Sequence, residues 1–340
     1  MPSPIIRSLA AAATLALTPC AFAQQPYKVV DHWKIGGTGG WDYLLADPSA
    51  HLLYMTHATR VEVVDTKTGK PAGAITGLKG THGIALDPDG QVGYVSDGGA
   101  NAVIVFDRKT FATLASIPAG TNPDGIAYEP VTKTVWAFNG RSKNVTVIDT
   151  KTRTVTATID LPGKPEFPQV DGKGHVFDNI EDKNAIVKLD ATTKKLTDTW
   201  TMAGCESPSG LAIDTGHSRL FAVCDGKKMG VVDYNTGKVI ATPFIGDSPD
   251  AAGYDAKDQI AFSSNGDGTL SVVDAGNGYK VIETLPTQSG ARTMAYDAST
   301  DRVFLAAAEY GPTPAPSPSV PRPRPVALPN SFSVIVVARK

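Results

Sequence analysis

One motif recurs along this chain at a nearly constant interval. An apolar, β-branched run ends in aspartate, polar or small residues follow, and the chain restarts. It reads "VVDTKTGK" at 63–70, then "VFDRKTFA", "VIDTKTRT", "KLDATTKK", "VVDYNTGK" and "VVDAGNGY". The aspartates are Asp65, Asp107, Asp149, Asp190, Asp233 and Asp274, separated by 42, 42, 41, 43 and 41 residues. Each copy reads as strand, tight turn, strand, because a turn-opening Asp bonds the backbone ahead of it and Gly tolerates positive φ. A second marker precedes each turn: "LLADP" at Asp47, "GIALDP" at Asp87, "GIAYEP" at Glu129, "PQVDG" at Asp171, "GLAID" at Asp214, "AAGYD" at Asp255 and "TMAYD" at Asp297. That makes seven copies. Short strands such as "VGYVSD" and "NAVIVFD" lie between the markers, and nothing beyond the N-terminal segment has helical periodicity. A period of about 40 residues carrying four strands predicts a β-propeller.

The N-terminus, "MPSPIIRSLAAAATLALTPCAFAQQ", has one basic residue, an apolar run too short to span a bilayer, and "AFA" before Gln24. It predicts a signal peptide over 1–23, cut after Ala23, and a periplasmic or secreted protein. Cys20 follows Thr-Pro, a poor lipobox. The expected domain is a single propeller over 24–340, although 340 residues alone would suggest two domains. Without residues 1–23 and the Pro-rich interruption at 311–330, the chain is close to seven units of 42. The last unit, ending in "SFSVIVVARK", lacks a fourth strand, and "YKVVDHWKIGG" supplies one. The predicted fold is therefore all-β: a seven-bladed β-propeller of four-stranded antiparallel blades, closed by the N-terminal strand, with no exposed edge at the seam.

The run "IALDPDGQVGYVSDGGANAVIVFD", with "YVS", a polar tip and "VIVFD", resembles the YVTN-repeat proteins. These are bacterial seven-bladed propellers, often exported and described as surface-layer-like. The resemblance covers essentially the whole mature chain and is weakest in blade 4, "GKGHVFDNIEDKNAIVKLD", which lacks the aromatic-Val-Ser/Thr step. It implies a fold and a compartment but no shared chemistry, so function must be argued from a site.

Residues that differ at equivalent positions of a repeat are the candidates. Five residues before each second marker stand Asp42, His82, Asp124, Glu166, Ser209, Asp250 and Arg292, expected to ring the mouth of the central channel. Second-strand ends on the same face give His57, Asp97, Asn139, Asn179, Asp225, Asn265 and Glu309. Crowded carboxylates repel one another unless a cation is shared, so this face predicts a divalent metal ion or a cationic ligand. His57, His82, Asp97 and Asp124 form a mixed N/O set suited to such a metal. The alternative is a solvated mouth, in which Arg292 neutralises a neighbouring Asp42. Trp41 and Tyr43 flank Asp42, where they stack a ligand or pack the blade. Arg322 and Arg324, in the Pro-rich loop, can bend over the acids as a lid, against the alternative of a solvated loop.

Three functions compete. The first is an exported binding or scaffold protein that recognises a small ligand, cation or protein partner at this face. The second resembles the gluconolactonase type of metal-dependent hydrolase, with Glu166, Asn139, Asn265 and Asp250 imitating its ion-holding set, though the blade count departs from that family. The third is single-stranded DNA binding, attributed to some YVTN-type propellers. It needs a basic track with exposed aromatics, and an acidic mouth with a net charge of −2 argues against nucleic acid. A quinone dehydrogenase is disfavoured, since those propellers usually have eight blades. No later segment reads as a membrane span, and the sequence leaves the oligomeric state open. Beyond the signal only Cys205 and Cys224 remain, an even pair that predicts a disulfide after export, with two free thiols as the alternative.

Overall fold

The computed structural model describes residues 25–88, 90–317, 323 and 325–339. The expected signal peptide, Arg322 and Arg324 lie outside these residues. Strands form where β-branched and aromatic residues alternate, and the described residues make seven four-stranded antiparallel sheets. Six of them run in simple sequence order, from blade 1 (Trp41–Asp47, Leu52–His57, Arg60–Asp65, Pro71–Ile75) to blade 6, which begins at Pro249–Asp255. Blade 7 takes its outermost strand from the N-terminus. Tyr27–Lys34 pairs antiparallel with Ser333–Arg339, from Tyr27 opposite Arg339 to Lys34 opposite Ser333. The seven-bladed fold and its predicted closure are both present.

Among the described residues, seven apolar clusters, rather than a single core, each join two adjacent blades. Tyr54, Val61 and Ile75 of blade 1 meet Ile84, Val95 and Phe106 of blade 2. At the seam, Phe304 and Val334 of blade 7 meet Leu53 and Met55 of blade 1, with Trp33 from the N-terminal strand. Every blade therefore depends on two neighbours, and closure completes the last interface.

The repeated aspartates hold the turns. Asp65 Oδ1 accepts the N–H groups of Lys67 (3.0 Å) and Thr68 (2.8 Å) and the Thr68 hydroxyl (2.9 Å). Asp107 repeats this with Lys109 and Thr110, and Asp149 and Asp190 with Thr152 and Thr193. These bonds favour the charged carboxylate, and the Thr68 hydroxyl foremost holds Asp65 below its ordinary pKa. The second markers act alike at the other turn: Glu129 accepts from Val131 (3.0 Å) and Thr132 (2.7 Å). Cys205 and Cys224 are joined as a disulfide, their Cα atoms 5.3 Å apart. Cys224 pairs with Pro208 across the first two strands of blade 5, which brings Cys205 within reach.

Candidate functional site

Six of the seven ring residues stand near the start of an innermost strand, at a break in register, while Arg292 precedes the unbroken strand Thr293–Asp297. The breaks fall between Trp41 and Leu44, Thr81 and Ile84, Pro123 and Ile126, and Glu166 and Gln169, and similar ones follow Pro208 and Pro249. Such bulges bend a strand and re-aim its side chains. The second strand of the preceding blade fixes several ring positions through their carbonyls. Ser96 donates to the Asp124 carbonyl, Ser264 to that of Arg292, and Asn179 Nδ2 to that of Ser209 at 2.6 Å.

Among the described residues, Asp42, His82 and Asp124 form the one group of three whose ligand atoms all lie within 4.8 Å of one another. They come from blades 1, 2 and 3. His82 Nδ1 is 2.7 Å from Asp42 Oδ2 and 3.7 Å from Asp124 Oδ1. Asp124 is only 8% exposed, and its Oδ1 has no hydrogen-bond partner. Gly98 leaves room for the imidazole, since a Cβ there would stand 2.8 Å from His82 Nε2.

The acids continue into blade 4. Glu166 carries Lys164 Nζ 3.1 Å from its Oε2, and Lys164 also contacts Glu181. Beneath it, fully buried Asp178 accepts the Glu166 N–H at 3.2 Å through Oδ2, while its Oδ1 has no partner. Burial foremost, then neighbouring carboxylates, pushes Asp124 up to about 7 and Glu166 up to about 8. Asp178 is pushed well above the carboxylate range, by burial and then by Glu166. Burial opposes charge on His82, but the Asp42 hydrogen bond and the charges of Asp124, Asp42 and Glu166 outweigh it and raise His82 to about 9. A space of about 10 Å³ is bordered by Asp42, Glu166, Asp250 and the rings of Tyr43 and Phe167. That is room for one ion or one water.

The other expected residues sit elsewhere. His57 is buried, its ring 4.4 Å from that of Phe332, with Nδ1 3.6 Å from Glu62. Asp97 accepts the N–H groups of Lys79 (2.9 Å) and Gly80 (2.8 Å), so it holds a loop. The four-residue set expected to share a metal therefore splits: His82 and Asp124 stay together, Asp42 joins them, and His57 and Asp97 serve packing and backbone. Arg292 pairs with Asp250 at 3.2 Å rather than with Asp42. Ser209 donates to the Pro249 carbonyl at 3.2 Å. Trp41 packs on Phe332, with Tyr310 beyond, at 5.1 and 6.3 Å between ring centres. Asn139 and Asn265 brace their own hairpins, through Asn144 and Thr146 and through Thr269 and Ser271. In blade 4 the second-strand end opposite Pro165 is Ile180, one residue beyond Asn179. Sequence reasoning missed Asp178 and Lys164. The signal for Asp178 was its place in "HVFDNI", in the blade that departs furthest from the repeat.

No protein-family model matches the chain, and no curated protein sequence matches it. Among solved structures, hydrazine synthase from Kuenenia stuttgartiensis is similar with a TM-score of 0.68 at 15% identity, over 79% of this chain and 92% of that one. At that identity the likeness is one of fold. No helix among the described residues is long and apolar enough to cross a membrane.

Proposed function

We propose that this chain is an exported propeller of the YVTN-repeat kind that binds a divalent cation where its innermost strands begin, with Asp42, His82 and Asp124 as ligands. One observation carries the reading: a buried carboxylate oxygen of Asp124 without a hydrogen-bond partner, facing an imidazole and a second carboxylate from two other blades. In the free protein a proton on His82 Nδ1 does part of the cation's work, since that nitrogen is 2.7 Å from Asp42 Oδ2 and 3.7 Å from Asp124 Oδ1. An ion ligated through Nδ1 displaces that proton, so binding weakens as pH falls. The imidazole favours zinc over calcium, and the two carboxylates also suit manganese. Glu166 stands one blade further on, paired with Lys164, where a bound cation would favour its ionised form. On this reading the protein is periplasmic or secreted after cleavage behind Ala23, and the loaded site is where a small ligand or protein partner is recognised.

Calorimetric titration of metal-stripped protein tests this. Manganese or zinc is expected to bind one site per chain, with affinity lost in Asp124→Asn and His82→Ala and kept in His57→Ala and Asp97→Asn. Equal affinity in all four variants refutes the assignment.

A further inference from the structure

Below the ring residues the innermost strands of blades 1 to 4 border a cavity of about 640 Å³ that opens to solvent. Its walls are Leu44, Ile84, Leu86, Ile126 and Val170, all from the strand segments that follow the ring positions. The lining runs from Tyr43 and Phe167, beside the ring positions, to Pro48 and Pro130 past the far ends of these strands. Its roof is made by two side chains that break a pattern. The position after each ring residue is small in five blades, Gly83, Gly125, Gly210, Ala251 and Thr293, and aromatic in two, Tyr43 and Phe167. The glycines are small for packing, since a Cβ at Gly125 would stand 2.4 Å from Pro168 Cδ and one at Gly83 2.8 Å from the Asp124 carbonyl. The two aromatics meet, stacked with ring centres 4.8 Å apart, and form a partition: each borders the ion-sized space on one side and the cavity on the other. Phe167 holds a φ of 61°, a left-handed conformation that a bulky residue seldom adopts. Strain of this kind persists where the surrounding structure fixes a group for use.

The lining also says what would fit. Its charged side chains, Asp47 and Arg108, are paired with each other. Arg108 also donates to the carbonyls of Asp87 (2.7 Å) and Gly90 (3.1 Å), and Asp47 accepts from Ser49 Oγ at 2.6 Å. Among the described lining residues no unpaired charge is left to receive an ionic ligand, whereas the walls are aliphatic and the roof is aromatic. The volume falls within the 300–1,000 Å³, roughly, that small-molecule pockets span. We propose that this cavity is a second binding site, independent of the cation site, for a small uncharged molecule with an aromatic or fused-ring body.

The test uses the full mature chain and the neutral fluorophore N-phenyl-1-naphthylamine, which brightens in apolar surroundings. Wild type is expected to give a saturable signal and a rise in melting temperature with probe concentration. Val170→Trp and Leu86→Trp fill the cavity from partly exposed wall positions, and each should weaken binding by about tenfold or more. Asp124→Asn should bind the probe as wild type does, so failure of the cation site leaves this result standing. Phe244→Ser with Val326→Ser, which removes two exposed apolar side chains, should also change nothing. The proposal is overturned if wild type gives neither a saturable signal nor a thermal shift. It is equally overturned if both tryptophan variants bind as wild type, or if binding disappears with Phe244 and Val326.

Discussion

Two sets of acidic residues in this molecule have opposite fates. Those at the turns, such as Asp65 and Asp107, sit near solvent, accept hydrogen bonds from the next few residues, and are held below their ordinary pKa. Those where the innermost strands begin, such as Asp124 and Glu166, are withdrawn from water, crowded by other carboxylates, and pushed well above it. The first set keeps its acid about every 42 residues, and the second stands at positions that recur as regularly but whose residue changes from blade to blade. Repetition marks acids whose charge is satisfied locally. Variation marks acids that meet groups from other blades: Asp124 faces His82 and Asp42, for which the proposed cation is the shared partner, whereas Glu166 also has Lys164 beside it.

The comparison presupposes a closed ring, and opening it has the largest expected effect. Deleting residues 27–35 removes the strand paired with Ser333–Arg339 and strips Trp33 from the seam cluster. Loss of cooperative unfolding, or aggregation, is expected by calorimetry; an unchanged transition would mean the seam is dispensable.

Asp47 sharpens the comparison because it is an acid of the repeated kind that is also buried, at 4% exposure. Burial works against its charge, yet hydrogen bonds from Ser49 and Arg108 foremost hold its pKa down. Arg108→Ala strands that charge and should cost about 3 kcal/mol in chemical denaturation. Removing the Cys205–Cys224 disulfide by a double Ser substitution should cost a similar amount, about 3 kcal/mol for a loop of this size, if unfolded-chain entropy is its source.

At the smaller end, Asp65→Ala loses exposed turn bonds and should cost about 0.5–1 kcal/mol. Asp124→Asn should do the reverse without metal and raise stability above pH 7, because it removes a charge that burial and neighbouring acids disfavour. A loss on Asp124→Asn comparable to that of Asp65→Ala would erase the distinction between the two sets.

The sequence told more about the scaffold than about the site, for a physical reason. Turn aspartates bond within three residues, so their role can be read from local order, and the spacing that repeats them counts the blades. The closing strand was legible because the last unit lacked a fourth strand that the first residues could supply. Spacing also named candidates on the innermost strands and at the second-strand ends. It did not show which of them converge: His57 and Asp97 lie near the same face, yet one packs against Phe332 and the other binds the backbone of Lys79 and Gly80. Those choices depend on bulges and contacts between blades, which no single repeat contains. Tyr43 and Phe167 are 124 positions apart, and only the closed ring stacks them.

The central claim concerns charge crowded where innermost strands meet, and the pH dependence of melting tests it most directly. His82 rises from 6.5 to about 9, so the stability its proton confers is complete below pH 6.5 and is lost as pH climbs toward 9. Asp124 rises from 3.8 to about 7 and Glu166 from 4.5 to about 8. Each retains in the fold a proton that the unfolded chain has already released, so their contribution is also lost with rising pH. Metal-free protein should therefore melt at progressively lower temperature between pH 6 and 9. Excess manganese should flatten or reverse that slope in wild type, and do so far less in Asp124→Asn. A slope that manganese leaves unchanged, or one identical in the variant, would contradict the account.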